Sequence, residues 1–183
     1  RRSRAQDVRG EVSGAAASAT AGEIAEQAEL VTRLVNETVR QSSSIRGWRA
    51  LGLPRPHRIV LLGCGTSYHA CLVTARALRM IAAVPAQTCV ASEFDPEMMT
   101  PFDLTVAISQ SGETADLMEA LRGIDTPVLA ITNNVHSSIA RSADSILDCQ
   151  AGVERGVAAT KTFTSQVLCG IRLAIAVAHA TGA

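Results

Sequence analysis

Five short segments rich in apolar residues, several of them uninterrupted, recur along the chain and constrain its fold more than any other feature. Runs of this length are typical of strands in a parallel sheet that is covered by helices on both faces. Segments with helical spacing separate most of them, so the alternation predicts an open α/β sandwich with right-handed crossovers. The five predicted strands are Arg58–Leu62, Gln87–Ala91, Leu104–Ile108, Val128–Thr132 and Ser145–Cys149.

Helices are predicted before, between and after these strands. The first covers Glu23–Arg46, where apolar residues recur at helical spacing, and Gly47 is expected to end it. Its apolar stripe consists of Ile24, Ala28, Val31, Val35 and Val39. The later helices are predicted over Ser67–Ala82, Glu113–Arg122, Ser137–Ser142 and about Thr160–His179.

Length and composition favour one globular domain without a nucleic-acid or membrane partner. Of the 183 residues, residues 1–21 are expected to form a flexible tail or linker and residues 22–183 the folded domain. The net charge is +0 and aromatic residues make up 3%, which gives no basis for a nucleic-acid surface. No uninterrupted apolar run reaches the ~20 residues of a membrane span, and the N-terminal residues lack the apolar core of a secretory signal. We therefore expect a cytoplasmic protein.

The cysteines do not predict a metal site. None of the five belongs to a Cys-x-x-Cys pair, and no cluster of histidines accompanies them. We expect reduced, mostly buried thiols, no metal and no cofactor. Cys64 precedes a predicted helix N-terminus, which can lower a thiol pKa, but a small buried residue is the favoured interpretation.

Two loops carry the strongest chemical signal, because each connects the carboxyl end of a predicted strand to a helix. Unpaired backbone N–H groups and the helix dipole make such a turn a potential anion site. One such loop alone could equally cap its helix. Two loops at strand carboxyl ends favour a phosphorylated or carboxylated small ligand. Their polar side chains are Thr66 and Ser67 in the first loop, and Ser109, Gln110, Ser111 and Thr114 in the second.

A third segment, Ala151–Lys161, follows the fifth predicted strand at the same edge of the sheet. Glu154 could act as a base or bind a ligand hydroxyl, or it could be a solvated acid paired with Arg155. Lys161 could meet a phosphate or form an imine, or it could be a first-turn helix residue with a structural contact. His69 could transfer a proton, although a packed or surface histidine is the simpler interpretation.

Four motifs together resemble the SIS (sugar isomerase) domain: Gly63–His69, Ala91–Phe94, Ser109–Asp116 and Gly156–Phe163. The resemblance runs from about Glu23 to the last residue. It is strongest to the first SIS domain of the glucosamine-6-phosphate synthases, which are glutamine–fructose-6-phosphate aminotransferases. It implies a three-layer α/β/α sandwich with a five-stranded parallel sheet, a flavodoxin-like arrangement. It also implies a hexose 6-phosphate ligand, such as fructose 6-phosphate or glucosamine 6-phosphate.

The resemblance implies roles for individual residues. The phosphate would be held by Ser67, Ser109, Gln110, Ser111 and Thr114. The sugar pocket would be lined by Cys64, Gly65, Thr66, Val157 and Ala159. The synthases usually have serine at the position of Ala159, which puts that sugar contact in question.

The resemblance leaves three functions open. The chain could be the phosphosugar-binding half of a synthase-like enzyme, because in that family the glutamate base, the ring-opening histidine and the imine-forming lysine lie in a second SIS domain and its tail. It could be a non-catalytic phosphosugar sensor. It could be a self-sufficient sugar-phosphate isomerase acting as a homo-oligomer, with Glu154 and His69 as weak catalytic candidates. We expect a homodimer or a partner SIS domain, which would contact Val167, Leu168, Ile171 and Ile175 of the last helix.

Overall fold

A computed structural model describes residues 19–37, 46–156 and 159–183, and its centre is a five-stranded parallel sheet. The spatial order of the strands is β2-β1-β3-β4-β5, and every neighbouring pair is parallel. The predicted α/β sandwich is confirmed, and each strand begins and ends within one residue of its expected bounds. The strands are β1 (Ile59–Gly63), β2 (Ala86–Val90), β3 (Leu104–Ser109), β4 (Val128–Thr132) and β5 (Ser145–Asp148).

Six helices surround the sheet within the described part of the chain. They are α1 (residues 19–37), α2 (Arg46–Ala50), α3 (Gly65–Ile81), α4 (Ala115–Arg122), α5 (Ser138–Ser142) and α6 (Lys161–Thr181). Two 3-10 turns, Ala91–Glu93 and Pro96–Met98, follow β2. Gly47, which was expected to end the first helix, lies within the separate short helix α2. Most of the predicted N-terminal tail and Val39 lie outside the described residues, while residues 19–21 belong to α1.

The three central strands are buried along their whole length, which explains their uninterrupted apolar sequences. Successive side chains of a strand point to opposite faces of the sheet, so the core has two layers. The layer under α2, α3 and α6 contains Ile59, Leu61, Leu78 and Leu173. The layer under α4 and α5 contains Val60, Leu62, Leu117 and Ile139.

The apolar stripe of α1 does not face the core. Ile24 is 55% exposed and Val35 is 43% exposed. The buried side of the helix carries Leu30 and Leu34 instead, and both pack near Leu168 of α6. Leu168, which was expected to face a partner, is therefore partly covered by the chain's own first helix.

Helix α6 is long and apolar enough to cross a membrane by length and composition alone, with 21 residues and a mean hydropathy of 1.4 in its most apolar stretch. Polar residues are scattered along the helix, so it contains no uninterrupted apolar run of that length. The side that carries Cys169, Leu173 and Val177 is buried in the core beside α3 and the sheet. A core helix passes the same test, so this helix is weak evidence for a membrane span.

Helices α3 and α6 approach each other closely where Gly170 faces Thr74. A Cβ atom at position 170 would lie 1.9 Å from Thr74 Oγ1 and 2.8 Å from Thr74 Cβ. Thr74 is fully buried, and its hydroxyl has no hydrogen-bond partner within the described residues. The crossing therefore has room only for glycine, and it fixes how α6 lies against α3.

Replacing Gly170 with alanine is expected to lower the free energy of unfolding by about 1–2 kcal/mol. Overpacking at the crossing costs more than the gain in helix propensity returns. Urea unfolding of Gly170→Ala against the wild type measures the effect. Gly123→Ala is the matched control, because its φ is −95° and nothing lies within 4 Å of the added atom. A Gly170→Ala protein as stable as the wild type would contradict the close crossing.

Candidate functional site

The two hydroxyl-rich loops lie side by side because β1 pairs with β3. Gly63 is in register with Ile108, so Cys64 and Ser109 stand at neighbouring positions on strands about 4.8 Å apart. The chain leaves β1 through α3 on one face of the sheet and leaves β3 through α4 on the other face. The strand order reverses at this point, and ligands of open α/β sheets bind in the crevice that such a reversal creates.

The first loop leads directly into α3. Cys64 is half-buried at the N-cap position and its side chain makes no capping hydrogen bond. Gly65, Thr66 and Ser67 form the first turn, which contains no acidic residue. No acidic side chain of this turn therefore compensates the positive end of the helix dipole. Ser67 is half-buried, and its Oγ accepts a hydrogen bond of 3.0 Å from Gln166 Nε2.

The second loop is held by a chain of hydrogen bonds between its own residues. Ser109, which is 2% exposed, accepts a hydrogen bond of 3.0 Å from the Gly112 backbone N–H. Its Oγ lies 2.9 Å from Thr114 Oγ1. Thr114 is half-buried at the N-cap of α4 and makes no capping bond. Because Ser109 accepts from Gly112, it can donate to Thr114, which leaves the Thr114 proton available to a ligand.

Contacts with the neighbouring helix α5 fix the position of this loop. Gly112 has φ +67°, and a Cβ atom there would lie 1.9 Å from Ser137 Oγ. Glu113 Oε1 accepts a hydrogen bond of 2.8 Å from the Ser138 backbone N–H at the start of α5. Hydrogen bonds from Ser138, together with the charge of Arg141, lower the pKa of Glu113. The carboxylate thus stabilises α5, although it directly precedes α4 in the sequence.

Gln110 and Ser111 line an open cavity of about 750 Å³ at the carboxyl ends of β3, β4 and β5. The Gln110 side chain is half-buried and that of Ser111 is exposed. The Gln110 carbonyl accepts a hydrogen bond of 3.2 Å from the Asn133 N–H, and Ser111 Oγ accepts one of 3.2 Å from the Glu113 N–H. The Gln110 carbonyl and the Ser111 hydroxyl are thus held by hydrogen bonds at the edge of this cavity.

Glu154 joins the third segment, Ala151–Lys161, to the start of α6 through hydrogen bonds. Its Oε1 accepts hydrogen bonds from the Thr160 backbone N–H at 2.6 Å and from the Thr160 hydroxyl at 3.1 Å. Its Oε2 is buried and has no partner within the described residues. The proposed pairing with Arg155 and the solvated position are therefore both wrong. The carboxylate is a structural acceptor with one unused oxygen beside the cavity.

The remaining predicted residues of this region have different surroundings. Lys161 is 5% exposed and forms an ion pair with Glu26 of α1, so the structural contact is the alternative that is observed. Ala159 is half-buried, and Val157 lies outside the described residues. His69 is exposed on α3, with its ring centroid 6.2 Å from that of Tyr68.

Glu23 and Gln166 were not predicted from the sequence, yet both hold parts of the site. Glu23 of α1 is 5% exposed, and its carboxylate accepts backbone hydrogen bonds from Arg155 and Gly156. Gln166 of α6 is 1% exposed and donates to Ser67. A signal for Gln166 exists in the sequence, because it lies at helical spacing from the apolar residues of the buried face. Nothing local distinguishes Glu23 from the exposed glutamates of its helix.

The thiols and carboxylates of the described ranges do not combine into a metal site. No group of three or more His, Cys, Asp or Glu side chains there could hold a metal ion. Cys71, Cys149 and Cys169 are buried free thiols, and burial raises the pKa of Cys71 well above its usual range. Cys64 and Cys89 are half-buried, and burial raises the pKa of Cys89 as well.

The buried carboxylate of Glu23 is expected to make stability depend on pH in the acidic range. Hydrogen bonds from the Arg155 and Gly156 backbone lower its pKa from the ordinary value of 4.5. As the pH falls through about 4.5, Glu23 takes up a proton in the unfolded chain while it is still ionised in the folded chain. The stability therefore decreases until the pH has fallen through the folded pKa. Urea midpoints between about pH 7 and about pH 3.5 should decline in the wild type and decline less in Glu23→Gln.

The control for this series is Glu29→Gln, because Glu29 is an exposed residue of the same helix. It should retain the acid dependence of the wild type. Equal acid sensitivity of Glu23→Gln and the wild type would show that another group carries the effect.

Comparisons with known proteins agree with this geometry. Residues 53–176 match the family model of the SIS domain. The chain is 43% identical over 131 residues to a glutamine–fructose-6-phosphate aminotransferase (isomerizing) of Mycolicibacterium smegmatis, a match that covers 68% of this chain and 21% of that protein. The chain spans about one fifth of the length of the curated relatives that it matches.

Solved structures show the same likeness. The C-terminal domain of glucosamine-fructose-6-phosphate aminotransferase from Francisella tularensis superposes with a TM-score of 0.75 at 31% identity, over 87% of this chain and 47% of that one. A protein from Silicibacter pomeroyi described as a phosphosugar isomerase gives 0.68 at 28% identity, over 85% and 49%. Since the family model matches more than half of the chain, the protein belongs to the SIS domain family.

Proposed function

We propose that this SIS domain binds a hexose 6-phosphate at the crevice between the two loops. The observation that carries the proposal is the register of β1 with β3, which sets two hydroxyl-rich helix N-termini beside each other. The phosphate would lie against Ser67 and Ser109–Thr114, and the sugar against Cys64–Thr66, with Val157 and Ala159 completing its pocket. The names of the relatives, a fructose-6-phosphate aminotransferase and a phosphosugar isomerase, support this ligand class.

The donor set suits a phosphate monoester. Hydroxyls, an amide and helix N-termini can each donate to a dianion, whose oxygens accept hydrogen bonds. Neither loop contains a lysine or an arginine. Recognition through neutral donors favours a ligand that is bound selectively and released readily.

We propose that the domain binds without turning its ligand over, and that a second SIS domain supplies the catalytic groups. Two observations support this. One oxygen of Glu154 is engaged by Thr160 and the other is buried, so the carboxylate is not free to meet a ligand. His69 is exposed on α3 and is not among the residues that line the cavity beside the second loop. The domain would then act as the sugar-phosphate-binding half of a larger cytoplasmic enzyme.

The affinity for fructose 6-phosphate is expected to depend on the phosphate and on the Thr114 hydroxyl. Calorimetry should show binding of fructose 6-phosphate and no comparable binding of free fructose. Thr114→Val keeps the side-chain shape and removes the donor, so it should weaken binding roughly 10- to 100-fold, the usual range for a hydrogen bond to a charged group. Equal affinity for fructose and fructose 6-phosphate would refute the proposal.

Thr126→Val is the matched control for this experiment. Thr126 bonds to Thr105 at the amino-terminal end of the sheet, far along the strands from the loops. Its loss should affect stability without changing the affinity for the sugar phosphate. A Thr126→Val protein that binds as weakly as Thr114→Val would indicate a general effect on folding.

We further propose that the domain pairs with a second copy or with a partner SIS domain. Exposed apolar side chains on two helices support this. They are Ile24 and Val35 of α1, and Leu72, Val73 and Met80 of α3. The Met80 side chain is 71% exposed. Where exposed apolar residues form a contiguous patch, they commonly mark a protein contact. Sedimentation at high concentration should show a dimer, and Met80→Glu should shift it toward monomer. A monomer at every concentration tested would exclude self-association.

A further inference from the structure

We propose that Gln166 is a positioning residue that commits the Ser67 hydroxyl to donate its proton to the ligand phosphate. This inference rests on the proposed function and deepens it. It follows from one contact that joins the two helices behind the site, the hydrogen bond of 3.0 Å from Gln166 Nε2 to Ser67 Oγ. These residues are 99 positions apart in the sequence.

The surroundings of Gln166 hold its amide in place. The residue is 1% exposed on α6. Directly before it, Ser165 donates a hydrogen bond to the Cys149 carbonyl at the end of β5. One turn later, Gly170 meets Thr74 of α3 at the close crossing. These two contacts fix the rotation of α6 and its distance from α3, so the Gln166 amide is directed at the first turn of α3.

The direction of the Ser67 proton follows from this contact. A serine hydroxyl has one proton to donate and lone pairs to accept with, whereas an amide N–H only donates. Ser67 Oγ must therefore be the acceptor from Gln166, and its own proton is directed elsewhere. Within the described residues Ser67 Oγ makes no other side-chain hydrogen bond. A phosphate dianion offers only acceptors, so an already oriented donor saves the cost of ordering the hydroxyl on binding.

The same principle operates in the second loop, where the Gly112 N–H donates to Ser109 and leaves a proton for Thr114. In both loops a group that can only donate lies behind a hydroxyl. The difference is that Gln166 is a side chain from another helix, so its contribution can be removed without changing either loop.

The test is a double-mutant cycle between Gln166 and Ser67, with the dissociation constant for fructose 6-phosphate measured by calorimetry. Gln166→Met preserves the length of the side chain and removes the donor, and it should weaken binding about 3- to 10-fold. Gln166→Glu presents an acceptor that draws the Ser67 proton away and adds negative charge near the phosphate, so it should weaken binding more than 10-fold. In a Ser67→Ala background, Gln166→Met should change the affinity less than 2-fold, because the hydroxyl it orients is gone.

Thr181→Val provides the control, since Thr181 lies at the far end of the same helix, where its hydroxyl donates to the Val177 carbonyl and does not touch Ser67. It should leave the affinity unchanged. A Gln166→Met loss of equal size with and without Ser67, or a Gln166→Glu protein that binds like the wild type, would overturn the inference while leaving phosphosugar binding intact. A wild-type domain that binds no hexose 6-phosphate would overturn the proposed function and this inference together.

Discussion

The parallel pairing of β1 with β3 is the constraint on which the rest of the structure depends. Two strands that are separated by an entire crossover, through α3 and β2, meet in register at Gly63 and Ile108. Their following helices must then leave on opposite faces of the sheet. Two helix N-termini converge on one crevice as a result, and neither is capped by a side chain. The location of the site is therefore set by the order of the strands and not by any one residue.

The strands and loops could be predicted because their signals are local. A continuous apolar run buried on both faces looks the same wherever it occurs, and Gly, Ser and Thr at its carboxyl end mark the turn. The buried face of α1 could not be predicted in this way. Its apolar stripe, with Ile24 and Val35, is exposed, and the inward face begins with the carboxylate of Glu23. Burial there is decided by partners more than 100 residues away.

A side chain that suits several roles cannot be assigned one of them from sequence alone. Glu154 and Lys161 both belong to the segment that follows β5 at the edge of the sheet where the site lies. Each has a side chain whose chemistry suits catalysis. The fold engages them with Thr160 and with Glu26. The reason is physical: the start of α6 needs acceptors for its free N–H groups, and a buried ammonium needs a carboxylate. Glu154 and Lys161 are therefore engaged within the folded chain in the absence of a ligand.

The contacts of α1 have a consequence for where this structural unit begins. The family match starts at residue 53, yet α1 lies wholly before it. From α1, Arg33 donates to the Gln150 carbonyl, Gln27 accepts from Thr164, and Glu23 holds the backbone at 155–156. A boundary drawn at residue 53 would therefore exclude α1, the helix that supports the rim of the crevice. Helix α1 is therefore part of the unit that shapes the crevice, and its removal would take away the contacts that hold residues 150, 155–156 and 164 in place.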